Sequence, residues 1–204
     1  MSKLLETAKE NLSFLLICIL IALALVAVAR IAEHFLAPGF YKLDFSELPV
    51  LLCSFYLGPS AGVVCEGMKI LLKLLTKGTS TAFVGDFANF VVGCTLVLPA
   101  AICYHVKKTK KTALLGLALG TVIMTIFGSL FNAVYLLPKF SVLFGLPLDQ
   151  IVAMGSSING QIHSVSTLVL FSVAPLNLLK AAVVSLLTLL LYKRVEKPLF
   201  EKVA

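Results

Sequence analysis

Charge is scarce in this sequence. Asp, Glu, Lys and Arg supply only 13% of its 204 residues, about half the usual share. That excludes a water-soluble fold of this length, which needs polar side chains to cover its surface. No CxxC pair occurs, so Cys18, Cys53, Cys65, Cys94 and Cys103 suggest neither a zinc site nor a disulfide framework. Each lies in an apolar run and reads as a small hydrophobe. A Walker A glycine loop is missing, so the chain does not draw on ATP by itself. His34, His105 and His163 are scattered, with no H-E-x-x-H and no two-His metal spacing. Ser156 and Ser157 precede His163 without a G-x-S-x-G, so the nucleophile-plus-base arrangement of an enzyme is lacking as well. Neither catalysis nor a bound cofactor is expected. Internal repeats and low-complexity tracts are also absent.

What is present is hydrophobic: 59% of residues, with a mean hydropathy of +1.02. A bilayer core of about 30 Å takes roughly 20 helical residues. On that ruler the chain reads as an all-α integral membrane protein, one transmembrane domain over 1–204 with six spans. The first covers about 12–36 and ends at Pro38-Gly39; its uncharged run, Leu12 to Ala29, exceeds the ~7–15 residues of a signal h-region, so it is expected to stay. The second covers about 45–57, stopped by Gly58-Pro59-Ser60, and the third about 61–76, ended by Gly78. The fourth runs about 83–105, the fifth about 112–137 to a stop at Pro138, and the sixth about 173–192, with Pro175 near its start. Between the last two lies a long segment, about 138–172, rich in breakers (Gly145, Pro147, Gly155, Asn159, Gly160), which reads as an irregular lid loop.

The lysines and arginines fix the expected orientation. Lys3, Lys9, the run Lys107, Lys108, Lys110, Lys111, and the tail Lys193, Arg194, Lys197, Lys202 make ten on one side, against six (Arg30, Lys42, Lys69, Lys73, Lys77, Lys139) on the other or nearer helix ends or depth, with Lys180 of the sixth span counted apart. The chain is therefore expected to be multi-pass in a bacterial cell membrane with both termini cytoplasmic. The net charge of +7 is then topological, and the Lys107–Lys111 run faces lipid headgroups rather than nucleic acid.

Polar residues at hydrophobic depth are costly and mark sites or pathways. Asn177 and Lys180 share a face of the sixth span by their i, i+3 spacing, against the alternative that Lys180 snorkels to the interface. Asn132 lies one turn before Pro138, with Tyr135 three residues on. Its amide suits an imide or amide edge, or else an interhelical hydrogen bond. Asp86 and Asn89 repeat the pattern in the fourth span, and Asp44 and Glu47 bracket the start of the second. Four spans thus carry polar groups toward the side of the long loop, the arrangement of a ligand pocket under a lid. Glu66, Lys69, Lys73 and Lys77 fall in one narrow arc of the third span, and a water-facing or subunit-facing stripe is the favoured reading. Gly116 and Gly120 form a GxxxG, and Ala22 and Ala29 share a face; small residues permit close packing inside the chain or against a partner.

Four stretches together carry a family likeness: Lys42 to Pro49 (KLDFSELP), Gly85 to Phe90 (GDFANF), Phe131 to Pro138 (FNAVYLLP) and Pro175 to Lys180 (PLNLLK), continuing to Tyr192-Lys193-Arg194. In order and spacing they resemble the riboflavin-specific S components, the substrate-capturing subunits of energy-coupling factor (ECF) transporters. The resemblance implies a six-helix bundle with a riboflavin pocket near the extracellular face, closed by the first loop and the long loop. It implies that Asn132, Asn177 and Lys180 bond the pyrimidine edge of the isoalloxazine. Leu43 would pack its flat face and Asp44 stand near the ribityl chain, with Glu47, Asp86, Asn89 and Tyr135 around them. It further implies a transmembrane coupling subunit and two ATPases as partners, and flavin mononucleotide as a possible second ligand, its phosphate near Lys42 and Lys139. An S component for thiamine, biotin or another vitamin is the nearest alternative, and a small intramembrane enzyme using His163 or Glu66 a more distant one. The chain departs from the family in its first span. There Ala22, Ala24, Ala27, Ala29 and Ala32 give no strict Ala-x-x-x-Ala docking motif, which leaves the register of docking open.

Overall fold

The computed structural model describes residues 26, 27, 29–31, 33–35 and 44–200, with side chains as far as Lys193. Most of the expected first span therefore lies outside the described residues, as do Lys42 and Leu43. The rest is helical, with no strand among the described residues. Helix α1 is Glu47–Leu57 and α2 is Pro59–Lys77. Gly58 separates them at φ 105°, a conformation open to glycine alone, and Pro59 supplies a first helical residue that needs no amide donor. Helix α3 is Val84–Lys107. Lys108 turns the chain in the left-handed region at φ 47°. Thr109 and Thr112 then cap the next helix, α4 (Lys110–Phe144), reciprocally, each side chain accepting the other's backbone N–H.

From there the chain departs from the sequence reading. Helix α4 runs on through Pro138 as Lys110–Phe144, 35 residues. A proline inside a helix removes a donor and collides with the carbonyl four residues back. Here a π turn, Asn132–Leu136, lies immediately before it, with Leu137 N bonded to Asn132 O. The wider turn relieves the clash, so the helix continues. The same device recurs in the last helix. A π turn over Val169–Val173, with Ala174 N on Val169 O, directly precedes Pro175. The final helix, α6, therefore begins at Val165 and spans Val165–Lys193, 29 residues, with backbone helix continuing to Phe200. The expected irregular loop over 138–172 shrinks accordingly. It holds the end of α4, a break at Gly145 (φ 63°), helix α5 at Leu148–Ser156, and the opening turns of α6. Leu137, Ile151, Val152, Ile162 and Leu168 pack that region into a core of its own, and the Ser156 hydroxyl donates to the Ile162 carbonyl.

Helices α3, α4 and α6 are long and apolar enough to cross a membrane. Leu114, Leu115, Val122, Ile126, Leu130 and Val134 of α4 are exposed, the pattern of a helix whose outer side meets lipid rather than water. The inner sides pack Leu51, Phe55, Leu96, Leu117, Met124 and Val184 into the main core. Phe55 stacks on Tyr104 at 4.5 Å, and Tyr192 meets both edge-on. The GxxxG lies inside this bundle. A Cβ on Gly116 would stand 2.7 Å from Ala100 O and one on Gly120 2.5 Å from Leu96 O, so these glycines seat α4 on α3.

Candidate functional site

A cavity of about 630 Å³ opens between α2, α3, α4 and α6, within the ~300–1,000 Å³ of small-molecule sites. Asp44, Asn89, Asn132, Asn177 and Lys180 all reach its wall. Five of the residues singled out from sequence thus converge.

Asn132 opens the π turn of α4, is 6% exposed, and donates from Nδ2 to Gly128 O at 2.7 Å. Asn177 of α6 sits against the same glycine; a Cβ on Gly128 would come within 2.8 Å of Asn177 Nδ2. That nitrogen is buried with no hydrogen-bond partner, although the great majority of buried polar atoms have one. One helical turn on, Lys180 points inward rather than to the interface. It is 8% exposed, with Nζ 2.7 Å from Glu47 Oε1 and 3.5 Å from Asn89 Oδ1. The snorkelling alternative is thereby removed.

The remaining sequence-predicted residues stand behind or beside the cavity. Glu47 is fully buried beneath Lys180, paired with its Nζ, and does not line the cavity. Asp86 is buried off the cavity wall, with Lys73 Nζ 2.5 Å from its Oδ1. Tyr135 stacks on Phe131 at 4.9 Å and meets Phe87 edge-on at 6.1 Å, joining an aromatic group between α3 and α4 instead of lining the cavity. Leu43 lies outside the described residues. Lys139 does not line the cavity, and Lys42 lies outside the described residues.

The α2 stripe behaves differently from its water- or subunit-facing reading. Glu66 is fully buried, Lys69 nearly so, and Lys69 Nζ lies 2.5 Å from Glu66 Oε1 and 3.1 Å from Glu47 Oε1. Lys73 and Lys77 line the cavity on its exposed side, with Ser80 and Thr81. The signal for these residues was visible, since four charged groups on one arc at membrane depth mark a pathway or site. Periodicity alone does not say which way the arc faces.

Asp44 stands at the cavity with its carboxylate accepting from Ser46 N at 2.9 Å and Ser46 Oγ at 2.6 Å. Burial pushes its carboxyl up, but the Lys180 charge and the two Ser46 donors outweigh burial and hold it below the ordinary value of 3.8. The wall is thus two-natured. Val92, Met124, Leu136, Val173 and Leu176 give apolar surface, while three asparagines and an ammonium give fixed donors and acceptors. Such a wall suits a small molecule that is apolar over much of its surface and carries a few hydrogen-bonding groups. Among the described residues no group of three His, Cys, Asp or Glu side chains is placed to hold a metal ion.

Residues 14–192 match the family model described as ECF transporter, substrate-specific component. The "Riboflavin transporter RibU" of Staphylococcus aureus (strain TCH60) is 31% identical over 91% of both chains. The "Riboflavin transporter FmnP" of Bacillus subtilis (strain 168) is 30% identical over 81% of both. A solved structure described as "Structure and mechanism of the S component of a bacterial ECF transporter" superposes with a TM-score of 0.59 at 30% identity, covering 88% of this chain and 96% of that one. The chain belongs to the substrate-specific components of ECF transporters.

Proposed function

We propose that this chain captures riboflavin at the outer face of a bacterial cell membrane and delivers it inward with a transmembrane coupling subunit and two ATPase subunits. Family membership makes it a transport subunit and not an enzyme. Two relatives at about 30% identity carry the name riboflavin transporter. The observation that carries the ligand is the meeting of Asn132, Asn177 and Lys180 on one cavity wall. An isoalloxazine presents an apolar tricycle with a hydrogen-bonding pyrimidine edge, and that edge matches two amides and an ammonium. Asp44 and Asn89 supply groups for the ribityl hydroxyls. For flavin mononucleotide, the second ligand that the resemblance allows, the lysines on the cavity's exposed side are Lys73 and Lys77 rather than the expected Lys139. No phosphate-cradling Walker loop is encoded, so any ATP that drives accumulation is hydrolysed by partner subunits.

The deciding experiment is an absorption spectrum of the detergent-purified protein followed by a riboflavin titration read by fluorescence quenching. A flavin spectrum and saturable quenching are expected. A colourless protein that ignores riboflavin and binds thiamine or biotin overturns the ligand while leaving the family intact. The orientation is tested by cysteine labelling: Lys108→Cys should react only from the cytoplasmic side and Gln150→Cys only from outside.

A further inference from the structure

Glu66, Lys69, Glu47 and Lys180 form a continuous chain of alternating charge inside the bundle. Lys69 Nζ bridges Glu66 Oε1 at 2.5 Å and Glu47 Oε1 at 3.1 Å, and the same Glu47 oxygen meets Lys180 Nζ at 2.7 Å. Both carboxylates are fully buried, and the side chains of Lys69 and Lys180 are 13% and 10% exposed. The two positive and two negative groups cancel among themselves, and the Asp44 carboxylate adds a further negative charge on the Lys180 side, at the cavity wall. Lys180 alone of the four reaches the cavity wall. Room for Glu66 is made by Gly93 of α3, where a Cβ would collide with the Glu66 carboxylate.

We propose that Glu66 and Lys69 are positioning residues for ligand binding, acting through Glu47 to hold Lys180 at the cavity; this rests on the riboflavin reading. An ammonium has three N–H donors. Lys180 forms an ion pair with Glu47 and makes a long contact of 3.5 Å to Asn89, which leaves a donor for an acceptor on the guest. Glu47 Oε1 is shared between the two lysines. That sharing limits how strongly it draws Lys180 inward. Without Lys69, two buried carboxylates face one ammonium in a medium that screens charge poorly, and Lys180 is pulled off the cavity to serve both. Without Glu66, Lys69 falls wholly to Glu47 and competes with Lys180 for that carboxylate, which loosens the hold on Lys180. The ligand touches neither residue, yet each sets the geometry of the group that it does touch.

Charge balance gives a test that a merely structural role does not pass. Lys69→Met leaves the cluster one charge negative, and Glu66→Gln leaves it one charge positive. The double variant is neutral again, with the Glu47–Lys180 pair intact. Each single change should weaken riboflavin binding on the order of tenfold or more, as expected when one partner of a buried pair is removed. The double variant should return to within about threefold of wild type, the signature of strong coupling between neighbours. Wild-type affinity in both single variants, or a double variant as weak as the worse single one, overturns the proposal. Should Lys69→Met fail to give monodisperse protein, Glu66→Gln against the double variant carries the same contrast, and equal affinities there overturn it. A wild-type protein that does not bind riboflavin overturns the ligand reading and this inference together. Wild-type binding with indifferent single variants overturns the positioning role alone.

Discussion

Lys180 Nζ lies 2.7 Å from Glu47 Oε1, joining the last helix to the first turn of α1 directly behind the cavity wall. Removing one member of a buried pair strands the other and typically costs about 3–5 kcal/mol. Lys180→Met leaves the fully buried Glu47 with Lys69 as its remaining cation. This variant is expected to lose riboflavin binding and to unfold at a clearly lower temperature in detergent. Quenching titration and thermal unfolding on one preparation check both.

Asn177→Ala should separate those two effects. Its Nδ2 has no protein partner, so truncation strands nothing within the fold. The guest, however, loses a donor at its polar edge, and an unmatched buried polar group costs about 1–3 kcal/mol. Riboflavin affinity is expected to fall by that amount while the unfolding temperature stays close to wild type. A large loss of stability with unchanged affinity would show Asn177 to be a packing residue.

The glycines of α4 give a prediction about the scaffold. A Cβ on Gly120 would stand 2.5 Å from Leu96 O, a backbone atom that has no rotamer by which to retreat. Gly120→Ala should therefore destabilise the bundle by about 1–3 kcal/mol, the range for overpacking a close contact. Gly67 is the control: a Cβ there meets nothing nearer than Phe90 Cε2 at 3.8 Å, and Gly67→Ala should unfold with wild type. Detergent thermal melts of the two variants side by side read the difference.

The sequence made the ends of α1 to α3 legible because strong punctuation sits there. Gly58-Pro59 and Gly78 fall where the chain turns, and the lysine run begins at the end of α3. Pro138 and Pro175 misled for a physical reason. A π turn ahead of a proline leaves no mark in composition, so Pro138 looked like the stop of one helix and Pro175 like the start of the next. Tyr135 follows from the same turn. The i, i+3 rule assumes 3.6 residues per turn, and inside a wider turn the tyrosine rotates away from Asn132 toward Phe131 and Phe87. Asn132, Asn177 and Lys180 were legible because polar groups stand out in apolar runs. The pairing of Lys180 with Glu47 was not, since no spacing rule links residues on separate helices.

Asp44 supplies a dependence on pH. Burial favours its neutral acid, but Lys180 and the Ser46 donors together favour the anion more, so its carboxyl titrates below the ordinary 3.8 in the folded protein. A group with a lowered folded value adds stability that is fully present above its unfolded value and disappears as pH falls through the folded one. The difference in unfolding temperature between wild type and Asp44→Asn should therefore be constant from neutral pH down to about pH 5, where both states carry the anion. It should shrink only below the ordinary value, as the unfolded chain takes up a proton that the folded one still refuses. Had burial prevailed, the folded acid would protonate first and the difference would already change above that value. Melts of both proteins across an acid series distinguish the two courses, and a change beginning well above 3.8 would mean that Lys180 and Ser46 do not hold the anion at the cavity wall.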